Sequence, residues 1–90
     1  MNKSEFEQNR YNMLKEVLFN DLLRQDDLES LKKYLERSPE LMKRVIRENY
    51  DVAMDKIKND NYPYKTFDYL KETFPDLYET YTGQTPDYLG

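Results

Sequence analysis

No stretch of this chain alternates apolar and polar residues over a useful length, and its β-branched residues are scattered. Apolar residues recur instead three and four positions apart, the spacing that gathers them on one side of an α-helix. The chain reads as all-α, a small bundle of four to five helices. Ser4-Glu5-Phe6-Glu7 fits a capping box, in which the hydroxyl accepts from a backbone N–H and the Glu reaches back. A first helix is expected from Ser4 to about Arg24, burying Tyr11, Leu14, Val17, Leu18 and Leu22. Phe19 and Leu23 lie off that face, as a second core contact or an exposed patch.

Asp26-Asp27 supplies carboxylates suited to the positive end of a helix dipole, so a second helix is expected over 27–37, with Leu28, Leu31 and Leu35 as its stripe. Ser38 as N-cap with Pro39 at the first helical position is a boundary signal, because Pro has no N–H to leave unsatisfied there. A continuous third helix is expected over 39–58. Met42, Val45, Ile46, Tyr50, Ala53 and Ile57 share one side, and Leu41, Val52 and Met54 widen the arc, so this helix reads as central. Arg44–Glu48 and Arg47–Asp51 are favourable one-turn pairs on it. After the turn-like Asn59-Asp60-Asn61-Tyr62-Pro63, Thr66 is expected to cap a short helix that turns Phe67, Leu70 and Phe74 inward. Pro75 opens another to about Tyr81, and Gly83 is a plausible stop.

The expected architecture is a three-helix core plus a short C-terminal helical pair. Residues 1–83 form one helical domain and 84–90 an extended tail. The expected core is Leu14, Val17, Leu18, Leu22, Leu31, Leu35, Val45, Ile46, Ala53, Ile57, Leu70 and Phe74. Tyr34 to Leu41 faintly echoes Tyr69 to Leu77; two helix–Pro–helix corners obeying the same capping chemistry explain that.

Composition narrows the chemistry. The 90 residues include no Cys and no His, so there is no disulfide framework, ordinary zinc site, Cys nucleophile or Ser-His-Asp triad. The two glycines, Gly83 and Gly90, rule out a P-loop or a dinucleotide fingerprint. Asn59-Asp60-Asn61 lacks the spacing, turn Gly and terminal Glu of a calcium loop. Asp51 and Asp55, one turn apart, read as solvent-facing rather than as an acid–base pair. The expectation is therefore a chain that is not an enzyme and takes no cofactor or metal. The N-terminus has no apolar segment like that of a signal peptide, and Val17-Leu18-Phe19 is the longest clean apolar run, so a cytoplasmic protein without a membrane span is expected.

The net charge of -4 is unevenly spread. Residues 32–47 carry six basic and two acidic groups, while 66–90 carry one basic and five acidic. Six of the nine tyrosines fall between 62 and 88, and Asp68-Tyr69, Asp76-Leu77-Tyr78 and Asp87-Tyr88 repeat an acidic–aromatic pairing. Tyr brings large apolar area, a polar tip and little rotamer entropy to an interface. The leading expectation is a noncatalytic protein-binding module, a regulator or inhibitor, contacting its partner through Tyr69, Asp76, Tyr78, Tyr81 and Tyr88. Such a face could block a basic or nucleic-acid-binding site, its carboxylates standing in for phosphates and its rings for stacked bases. Small inhibitors encoded by phages and other mobile elements, anti-restriction and anti-CRISPR proteins among them, often act by steric blocking of this kind. One alternative is a helix-turn-helix-like nucleic-acid binder using Lys32, Lys33, Lys43, Arg44 and Arg47, against which the acidic pI of about 4.8 argues. Another is a homo-oligomeric structural protein, the basic middle of one copy docking on the acidic end of the next.

Overall fold

Six helices follow one another in the computed structural model, which describes residues 3–59 and 64–83, and no strand occurs among them. They are α1 (Lys3–Val17), α2 (Leu28–Arg37), α3 (Pro39–Glu48), α4 (Tyr50–Asn59), α5 (Lys65–Thr73) and α6 (Pro75–Gly83). No described helix is long and apolar enough to cross a membrane. The all-α expectation is borne out, with a finer division than the apolar pattern implied.

The extra division falls at Asn49. The expected continuous helix over 39–58 breaks there into α3 and α4, with Asn49 at φ -122° and ψ 18°. Its amide Nδ2 donates to the Val45 carbonyl at 2.8 Å and to the Tyr11 hydroxyl at 3.1 Å. A side chain that bonds its own preceding turn competes with the backbone ladder, and the helix bends where it succeeds. Tyr11 in turn donates to Glu48 at 2.7 Å, which ties the joint to α1.

The first helix also departs from one pitch. Leu18–Leu23 continues α1 as a π turn, with i→i+5 bonding. The wider turn lets Leu18, Leu22 and Leu23 all be buried. It therefore decides what Leu23 does: it is a second core contact, with Phe19 half-buried beside the core. The turn ends in a Schellman motif. Asp27 N donates to Leu22 O at 2.8 Å and Asp26 N to Leu23 O at 3.2 Å. Asp26, at φ 52°, occupies the left-handed position that Gly usually fills.

Three capping expectations are corrected. Ser4 lies inside the first turn of α1, because the helix already includes Lys3. Ser38 flanks α3 without a side-chain cap bond; its hydroxyl instead accepts from Arg10 Nη2 at 3.2 Å. Thr66 does not precede α5 but sits in its first turn, fully buried. The cap comes from Asp26, which accepts from Lys65 N at 3.1 Å, Thr66 N at 2.9 Å and Thr66 Oγ1 at 2.9 Å. Asp27 caps α2 as expected, accepting from Ser30 N at 3.2 Å.

The core runs through all helices except α6. Of the expected core, Val17 and Leu35 are only half-buried; Leu23, Met42, Tyr50 and Met54 join it. Tyr50 enters because its hydroxyl finds the Leu70 carbonyl at 2.9 Å, so its polar tip is satisfied inside. No buried side-chain polar atom among the described residues lacks a partner. Helix α6 buries no residue completely and lies against α4 and α5 through Leu77, Tyr78 and Tyr81. Residues 84–90, expected as an extended tail, lie outside the described residues.

Candidate partner-binding groove

The break at Asn49 opens a groove. The residues at the joint and those of α6 line a concavity of about 350 Å³. Val52 and Leu77 provide its apolar surface, and Thr80 and Asn49 its neutral polar groups. Glu48, Asp51 and Arg47 stand along it, and Asp76 on α6 reaches Arg47 at 3.2 Å. Val52 is 54% exposed, one of three large apolar side chains so placed among the described residues.

Behind the groove is a cluster of rings. Tyr50 meets Phe74 and Tyr81 edge-on, at centroid separations of 6.3 and 6.4 Å. Tyr78 meets Phe67 edge-on at 6.2 Å and lies 6.3 Å from Tyr81. The Tyr81 hydroxyl donates to Asp55 at 2.6 Å, and Lys58 lies 5.7 Å over its ring. Burial, then the neighbouring Asp55 carboxylate, pushes the Tyr81 phenol well above its ordinary range. Burial likewise raises Tyr50, to about 12. Both phenols remain neutral donors across the physiological range. Asp76 behaves oppositely. Its partial desolvation would raise its pKa, but the Arg47 bond and its own helix's N–H groups hold it below the usual carboxylate value.

Among the described residues, none of the five expected contact residues lines the groove itself. Asp76 is exposed and bonds Arg47, which does line it, and Tyr78 and Tyr81 are half-buried in the ring cluster behind. Tyr69 is elsewhere: it lies under Lys32 of α2, at 5.7 Å. Tyr88 lies outside the described residues. Sequence reasoning missed Val52 and the part played by Asp51, because a helix unbroken at Asn49 offers no groove for them. An exposed Val next to an Asp beside the break was the available signal.

The five basic residues of the nucleic-acid reading are all exposed, but three of them are engaged by rings or carboxylates. Lys32 covers Tyr69, Arg44 lies 4.8 Å over the Tyr11 ring and 3.5 Å from Glu48, and Arg47 holds Asp76 while lying 5.7 Å over Phe74. Lys33 and Lys43 are exposed on α2 and α3. Among the described residues, no group of three or more carboxylates gathers as a metal site. Comparison with protein-family models, with curated proteins and with solved structures finds no match to this chain.

Proposed function

We propose that this chain is a noncatalytic protein-binding module, a small regulator or inhibitor that covers a basic site, such as a nucleic-acid-binding surface, on a target protein. The observation that carries the reading is the groove between the Asn49 joint and α6, where carboxylates flank exposed apolar surface. A Lys or Arg of the target suits such a place: its methylenes lie on Val52 and Leu77, and its cation competes with Arg47 for Asp76 and joins the partners of Asp51. The ring cluster behind supports the site, since Tyr50, Tyr78 and Tyr81 fix α6 against α4 and α5 and preorganise the groove. The engagement of Lys32, Arg44 and Arg47 with rings and carboxylates favours this reading over nucleic-acid binding.

The test is capture from lysate of the source cell on immobilised protein, read by quantitative mass spectrometry. Wild type is compared with the double charge reversal Asp51→Lys/Asp76→Lys. Removing α5 and α6 altogether is a poor control, because Thr66, Leu70 and Phe74 are buried and their loss unfolds the rest. The expected result is a protein with a basic surface that is retained by wild type and lost on reversal. Recovery of the same proteins on both, or of nucleic acid or further copies of this chain alone, contradicts the reading.

A further inference from the structure

A second concavity lies between the π turn and α4. Phe19, Leu23 and Ile57 line its apolar part, and Asn20, Arg24 and Lys56 its polar part, around about 320 Å³. That volume is at the small end of the range for small-molecule sites. Every side chain around it is neutral or cationic. Leu23 and Ile57 are buried and Phe19 half-buried, so the apolar surface is held by the core. Arg24 and Lys56 are exposed and make no ion pair, hydrogen bond or ring contact with any described side chain.

Other cations of the chain are engaged. Arg10, Lys32, Arg44, Arg47, Lys58 and Lys71 each lie over an aromatic ring. Arg24 follows the π turn and Lys56 belongs to α4, so the two cations reach the cavity from different walls. The turn itself is a departure from α geometry of a kind often found at functional sites. Here it buries Leu23 and leaves Phe19 and Asn20 facing the gap.

We propose that this cavity binds a small aromatic carboxylate. The ring packs on Phe19 over the exposed edges of Leu23 and Ile57, and the carboxylate takes charge-assisted bonds from Arg24 and Lys56 with the Asn20 amide as a further donor. An anion without apolar surface leaves the floor uncovered, and an uncharged ring leaves both cations unused. The site shares no residue with the acidic groove and stands independently of the function proposed for it.

The experiment is a titration of the full chain followed by ¹H–¹⁵N NMR, with phenylacetate as probe. Acetate, inorganic phosphate and benzyl alcohol serve as comparisons at matched concentrations. Phenylacetate is expected to shift the amides of Phe19, Asn20, Leu23, Arg24 and Ile57 saturably, binding at least about tenfold more tightly than any of the three comparisons. Arg24→Gln/Lys56→Gln, two exposed positions, is expected to weaken that binding by about tenfold or more while leaving the rest of the spectrum in place. The proposal is overturned by equal binding of acetate or phosphate, by equal binding of benzyl alcohol, by unchanged affinity in the double variant, or by absence of saturable shifts at these residues.

Discussion

Asp26 occupies a backbone conformation that an L side chain resists, and its carboxylate holds the start of a helix 40 positions away. Glycine would relieve the left-handed strain, yet it has no carboxylate to give α5. The trade can be measured. Asp26→Ala keeps the strain and removes the cap, and we expect a loss of about 2 kcal/mol in denaturant unfolding. Asp26→Gly should recover about 1 kcal/mol of that loss, because the strain goes with the side chain. The same residue sets an acid dependence. Burial alone would raise the Asp26 carboxyl, but the N–H groups of Thr66 and Lys65, the Thr66 hydroxyl and the Lys65 charge together hold it below its ordinary 3.8. The folded state then binds fewer protons than the unfolded state, so this stabilisation is complete above about pH 4 and is lost as pH falls through the folded pKa. Asp26→Asn, which tolerates the conformation but does not titrate, should flatten that acid limb of a stability–pH profile. At the alkaline end the sign reverses. Tyr50, raised to about 12 by burial, stabilises the fold fully below pH 10, and that contribution is lost as pH rises towards 12. Tyr50→Phe should weaken the alkaline dependence and cost about 1 kcal/mol at neutral pH, through the lost bond to Leu70 O. The Leu70 carbonyl still accepts from Phe74 N, which keeps that cost small.

At the scale of elements, the readable features were those whose chemistry is local. Asp27 and Ser38-Pro39 bound α2 within a few residues of their signals, and Pro75 opens α6 where a Pro belongs. Two other features depend on distant partners and could not be read in advance. The π turn is favoured by the room for Leu22 and Leu23 in the core, which no window of sequence reports. The break at Asn49 needs the Tyr11 hydroxyl, 38 positions away, to accept its amide. The site followed the same division. Asp76, Tyr78 and Tyr81 stood out by composition, whereas Val52 became part of a groove only through the bend. Asn49→Ala should accordingly disturb binding more than folding. We expect a loss of about 1 kcal/mol in stability, with chemical-shift changes concentrated in α4 and α6 as the joint straightens. Ile46, 1% exposed on α3, gives the contrasting case. Ile46→Asp buries an unpaired charge, and a loss of more than about 4 kcal/mol should unfold so small a domain. Thermal unfolding like that of wild type would contradict the placement of α3 at the centre.

Taken whole, the molecule is long for its size, 50 × 24 × 19 Å, and residues 3–10 of α1 are exposed throughout. Its charge is divided as well. Lys32, Arg44 and Arg47 of the basic middle lie over rings, Arg47 also pairs with Asp76, and Asp51 and Asp76 are exposed near Val52 and Leu77. The Arg47–Asp76 pair is exposed on both sides, where water and salt screen it, so it adds little to stability. Reversing Asp76 also sets a second cation beside Arg47 and at the start of α6, so circular dichroism must first show the variant folded. The most direct measurement is ¹H–¹⁵N NMR of the full chain titrated with the purified protein that wild type captures. The account predicts shifts or broadening confined to Asp51, Val52, Asp55, Asp76, Leu77 and Thr80, absent with Asp51→Lys/Asp76→Lys. Perturbation centred on Lys33 and Lys43, or on the exposed Phe6 and Met13 of α1, would contradict it and move the partner to another face.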